Sequence, residues 1–166
     1  MFNTQNRFCN ENEKIGRNLF RQVFNNKDKY RIYFADYEMD EVDFIMIGKE
    51  KAYAGDIKAY RNPQHPRPHN GRLIGGELKK YDDYEIDFSK LENIEKRAKQ
   101  INGVPILVVF FSDQLMIWEL DKIDWRATAH LKEGNKYGSD TTIKEKTLKA
   151  SLYYEDAVYK NNKIRM

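Results

Sequence analysis

Apolar residues recur along this chain first at helical and then at strand spacing, and the changes of period mark its elements. After Asn10-Glu11-Asn12-Glu13, the apolar positions Ile15, Leu19, Phe20, Val23 and Phe24 fall mostly three or four apart. They predict an amphipathic helix closed by Asn25-Asn26. Tyr30-Arg31-Ile32-Tyr33-Phe34 then has the composition of a strand. Val42-Asp43-Phe44-Ile45-Met46-Ile47-Gly48 is a second strand-like run and residues 52–61 a third, joined by Lys49-Glu50-Lys51 as in a hairpin. Together the three runs predict a meander.

Residues 61–80 break the pattern. Pro63, Pro66, Pro68, Gly71, Gly75 and Gly76 lie there, and they predict a loop of a size that is usually functional or disordered. Helical spacing resumes with Leu91, Ile94, Ala98 and Ile101. Ser89 with Glu92 three residues on reads as a capping box, and Gly103 as the stop. The nearly unbroken apolar run 105–111 predicts a central strand covered on both faces. Met116-Ile117-Trp118-Glu119-Leu120 predicts a neighbouring strand. After Trp125 the signal weakens: residues 141–152 are strand-like in places, and 153–159 predict a short terminal helix. Helix, three strands, helix and two strands predict an α/β fold, a mixed sheet flanked by helices.

A length of 166 residues suits one domain. We place it over 1–166, with a core at about 10–125 and a C-terminal extension over 126–166. Net charge is only +3, so a role in binding nucleic acid depends on where cations cluster, and residues 58–80 and 144–165 are rich in them. Cys9 is the single cysteine, which excludes a disulfide framework and a thiolate zinc cluster and predicts a reducing compartment. No stretch has the length and apolarity of a signal peptide or a membrane-spanning helix. The expectation is a soluble, cytoplasmic protein with no membrane partner.

Asp56-Ile57-Lys58 changes the picture most. Side chains alternate along a strand, so Asp56 and Lys58 project from one face, a carboxylate beside a cation. Asp43 lies on the preceding predicted strand. Two carboxylates brought together in a partly buried site repel and raise one pKa unless a divalent cation or Lys58 neutralises them. Hard oxygen ligands of this kind suit Mg2+ or Mn2+.

These residues resemble the motif of the PD-(D/E)xK nuclease superfamily, the restriction-endonuclease-like fold that includes restriction enzymes, repair nucleases and Holliday-junction resolvases. Asp43 stands at the family's first aspartate, Asp56 at the second acidic position and Lys58 at the lysine, while Val42 replaces the proline of the motif's name. The resemblance implies a restriction-endonuclease-like core and metal-dependent hydrolysis of phosphodiester bonds in nucleic acid, with DNA ahead of RNA. It implies that Asp43 and Asp56 bind the metal while Lys58 orients or activates the attacking water. A resolvase-like member would act as a homodimer. Many members carry a further acid on the first helix, for which Glu13 is the candidate, although Asn10 three residues earlier makes Glu13 equally a capping-box partner. Resolvase-like members place that acid about three residues after a helix glycine, where this chain has Leu19 after Gly16.

Lys90 resembles the lysine that several such families place at the start of the following helix, against substrate phosphate. Arg61, Arg67 and Arg72, with Lys79 and Lys80, are candidates for backbone contacts from the loop. His65 and His69 are four apart, but Pro63, Pro66 and Pro68 exclude a helix that would pair them as ligands. Trp118 reads as core and not as a base-stacking platform. Gly71-Arg72-Leu73-Ile74-Gly75-Gly76 lacks the spacing and the Lys-Ser/Thr of a phosphate loop. The alternative is a catalytically inactive protein of the same fold that acts in nucleic-acid binding or assembly.

Overall fold

A computed structural model describes residues 4–35, 42–59, 72–74, 77–79, 83–111, 115–135 and 144–161. Its first element, α1 (Thr4–Val23), begins earlier than the periodicity predicts. No Gly or Pro interrupts residues 4–15, so the helix runs through Asn10 and the proposed capping box with Glu13 does not form. The meander follows as β1 (Tyr30–Phe34), β2 (Phe44–Gly48) and β3 (Ala52–Ala59), all antiparallel. The Gly48 amide donates to the Lys51 carbonyl at 2.8 Å and closes the predicted hairpin.

Within residues 61–80, two short strands pair where only a loop is predicted: β4 (Arg72–Ile74) and β5 (Glu77–Lys79). A further unpredicted strand, β6 (Asp83–Asp87), runs directly into α2 (Phe88–Gln100). Because the helix starts at Phe88, Asp87 takes the cap position and the Ser89–Glu92 capping box does not form. The Asp87 side chain makes no cap bond and instead accepts the Lys149 ammonium at 2.5 Å. Leu91, Ile94 and Ala98 form the buried stripe as predicted. The helix ends at Gln100; Asn102, just past the Ile101 cap, has a left-handed φ of 52°, and the Gly103 amide donates to the Ala98 carbonyl at 2.7 Å.

After α2 come β7 (Val104–Phe110) and β8 (Leu115–Glu119). Beyond two short 3-10 turns lie β9 (His130–Asn135), β10 (Lys144–Tyr153) and β11 (Tyr159–Asn161). Six strands form the main sheet in the order β1-β2-β3-β7-β8-β11, and β3 and β7 are its parallel pair. A parallel pair requires a crossover, and α2 lies on it. The continuous apolar run makes β7 a central strand, as predicted. Its Ile106, Val108 and Phe110 pack with Phe20 of α1 and Ile117. Its Leu107 and Val109 pack with Leu91 and Ile94 of α2 on the other face.

The described residues after 126 contribute to the core, beyond the extension expected there. Strands β6, β10 and β9 form a second antiparallel sheet in that order, and Ala150 and Leu152 of β10 are fully buried beside α2, Trp118 and Trp125. The predicted terminal helix is one 3-10 turn, Tyr154–Asp156. Val158 then donates its amide to Ile117 at 2.8 Å and starts β11 beside β8.

Candidate active site

Asp56 is the single buried charged residue among the described residues, 1% exposed. It sits on an interior strand of the six-stranded sheet, because β7 pairs along the far side of β3. Its register partner is Leu107 and that of Lys58 is Val109, so both side chains project toward the face that α2 covers. Ile57 faces the other way, toward α1. A Cβ at Gly16 would lie 2.9 Å from Ile57 Cγ2, so glycine permits the close seat of α1 on that face.

Asp43 lies one residue before β2 and is held reciprocally to β3. Its amide donates to Asp56 Oδ1 at 3.0 Å and to the Gly55 carbonyl at 3.0 Å. Its own Oδ2 accepts the Ile57 amide at 2.8 Å. The bonds lock the two acids into one cluster. Val42, 5% exposed, anchors the approach to Asp43 in the core under α2, which explains why an apolar residue precedes the acid here.

Among the described residues Asp56 Oδ2 has no hydrogen-bond partner, and it is fully buried. Burial pushes the Asp56 carboxyl up to about 7, and the neighbouring Asp43 charge adds to the rise. Lys58 and Lys90 pull it down, as does the Asp43 amide. Lys90, in the first turn of α2, therefore reaches the electrostatic field of the same carboxylate as Lys58. An acid pair, an open buried oxygen and two cations can hold a divalent ion together with a phosphate group.

Glu13 belongs to a different arrangement. It pairs with Arg17 at 4.0 Å, and Arg17 Nη2 donates to the Ala35 carbonyl at 3.0 Å. The Ala35 amide in turn donates to the Asp43 carbonyl at 2.9 Å. The chain Glu13, Arg17, Ala35, Asp43 ties α1 to the segment that carries the first acid. Sequence reasoning missed Arg17, whose signal is its place one helical turn after Glu13. Among the described residues no three acid, histidine or cysteine side chains come together, so Glu13 does not join Asp43 and Asp56 in such a group.

Arg61 and Arg67, with Lys80, His65 and His69, lie outside the described residues, and Arg72 and Lys79 are described only as backbone in β4 and β5. Trp118 is fully buried, with Nε1 donating to the Tyr153 carbonyl at 2.8 Å, in keeping with a core role. No helix among the described residues is long and apolar enough to cross a membrane. No protein-family model matches the chain, and no curated protein matches it in sequence.

Proposed function

We propose that the chain is a metal-dependent nuclease of the PD-(D/E)xK type, with the restriction-endonuclease-like core that type implies, cleaving phosphodiester bonds in DNA ahead of RNA. The observation that carries this reading is the buried Oδ2 of Asp56, unpartnered among the described residues, beside Asp43 and Lys58. A buried carboxylate oxygen left unpaired is costly in a protein that has no use for it. The donor set, two carboxylates with no histidine or cysteine, fits Mg2+ or Mn2+ held by Asp43 and Asp56. When bound, such an ion would supply Lewis acidity at the phosphate and lower the pKa of a bound water.

The chain's own groups do the remaining work. The Ile57 amide fixes the Asp43 carboxylate, and the Asp43 amide fixes Asp56, so both acids are oriented before any ligand arrives. Lys58 offers an ammonium on the face of Asp56, where it would stabilise charge developing on the phosphate oxygens and orient the attacking water. Lys90 would add a second cation against substrate phosphate from the start of α2.

Catalytic inactivity is the second reading, and one observation favours it: no third acid gathers with the pair among the described residues. Cleavage assays on plasmid, branched and single-stranded DNA separate the two. The nuclease reading predicts products in Mg2+ or Mn2+, none in chelator, and a fall of roughly 10²-fold or more in Lys58→Ala. Undiminished cleavage in chelator or by Lys58→Ala would overturn the mechanism. The absence of cleavage on all three substrates in either metal would favour the inactive protein.

A further inference from the structure

On the face of the main sheet opposite Asp56, a cavity of about 450 Å³ opens beside the end of α1. Its floor is apolar, built by Met46, Ile106 and Ile117 from β2, β7 and β8. Aromatic rings form much of its wall: Phe24 from the end of α1, Tyr30 from β1 and Tyr53 from β3, with Tyr159 of β11 at the rim. Phe24 and Tyr30 already meet edge to face at 5.4 Å, so these rings are set in fixed orientations. A cavity of this size and lining is of the kind that holds small molecules.

Its polar groups narrow the chemistry. Among the described residues the hydroxyls of Tyr30 and Tyr53 have no hydrogen-bond partner, and both residues line the cavity. Burial, then the proximity of Tyr30 and Glu119, raises the Tyr53 hydroxyl above its ordinary pKa, so it stays protonated and can donate or accept a hydrogen bond. The charges nearby are balanced. Glu119 is paired with Lys122 at 2.8 Å, and the Lys29 ammonium lies 5.2 Å from the centre of the Tyr30 ring. A cationic ligand would therefore meet Lys29, and an anionic one would meet Glu119 and the negative ring faces. Neither sign is favoured.

We infer that this cavity is a binding site for an uncharged, flat heteroaromatic compound whose body lies among the aromatic rings and whose polar edge meets the Tyr30 and Tyr53 hydroxyls. The site is separate from the acid cluster. Tyr53 precedes Asp56 by three residues on β3, so the two side chains leave opposite faces of the strand. The inference does not rest on the nuclease reading, and Asp56→Asn should leave it intact.

Indole, titrated into the full chain and followed by amide chemical shifts, is the probe. Saturable shifts centred on residues 23–30, 53 and 158–159 are expected, with a Kd of about 0.1–1 mM for a ligand of this size. Tyr53→Phe keeps the ring and should weaken binding by roughly 2- to 10-fold, the range for one lost hydrogen bond. Val158 is 47% exposed at the mouth, so Val158→Trp should obstruct entry and weaken binding by more than about tenfold without disturbing the core. Cyclohexanol, of similar bulk but not flat, should bind more weakly, as should benzylammonium and benzoate. The inference is overturned by the absence of saturation up to about 5 mM. It is also overturned if cyclohexanol or either charged ring binds as tightly as indole, or if Val158→Trp binds indole as wild type does.

Discussion

Asp56 concentrates the electrostatic cost of the fold in one side chain. Its native pKa of about 7 stands above the ordinary value of 3.8, so between those limits the native chain holds a proton that the unfolded chain has released. Stability from this group is fully present below the ordinary carboxylate range and is lost as pH rises through about 7. In chelator, wild type should therefore lose stability relative to Asp56→Asn between about pH 4 and pH 8. Other groups such as His130, whose pKa is raised by the Thr128 carbonyl and by Glu85, titrate in both proteins and cancel in the difference. Urea midpoints across that range measure it, and a difference independent of pH would show that the Asp56 carboxyl is not held in an uncompensated site. The placement of Asp56 and Lys58 on one face was readable from alternation, while Asp43 joined them only through the predicted hairpin and the family motif. The amide bonds that orient the acids were not readable, because backbone donors leave no trace in the order of side chains.

At the scale of elements, the site depends on how closely β3 lies against β7. A Cβ at Gly55 would fall 2.2 Å from the Ile106 carbonyl oxygen and 2.9 Å from Phe44 Cζ. Neither neighbour can yield cheaply, since one is backbone in the central pair and the other is a fully buried ring. Gly55→Ala should cost about 2–4 kcal/mol of unfolding free energy in urea denaturation, and displacement of the adjacent Asp56 should lower cation affinity with it. Wild-type stability in that variant would contradict the observed register. Element type was legible wherever one period dominated, as in the stripe of α2 and the apolar run of β7. The starts of α1 and α2 were not, because polar residues at Asn10 and Ser89 can sit inside a helix as well as cap it. Strand β6 was missed because Tyr84 and Ile86 are its only two buried positions, too few to show alternation.

The whole molecule closes around residues that looked peripheral in the sequence. Strand β10 covers part of the α2 side, and its outward positions carry charges that pair across the second sheet, such as Lys149 with Asp87 of β6. In β9, His130 and Lys132 both reach Glu85 of β6, at 2.8 and 2.6 Å, across the strand between them. These partners are 45 to 62 residues apart, a separation over which local periodicity carries no information. Truncation after residue 128 would remove Ala150 and Leu152 from the core, so the shortened chain should lose its cooperative thermal transition. A sharp transition retained by that chain would restore the picture of a core ending near residue 125. The exposed Leu131 and Leu148, paired across β9 and β10, have no account in this architecture.

Cleavage can arise from a trace contaminant, whereas cation binding at a defined acid cannot. Calorimetric titration of Mn2+ into wild type and Asp56→Asn at pH 8 is therefore the most direct measurement of the central claim. Wild type should bind with saturable heat that is lost when Asp56 can no longer ionise, and its affinity should fall as pH drops below about 7, where the proton competes with the metal. Equal binding by both proteins, or none by wild type, would contradict the account.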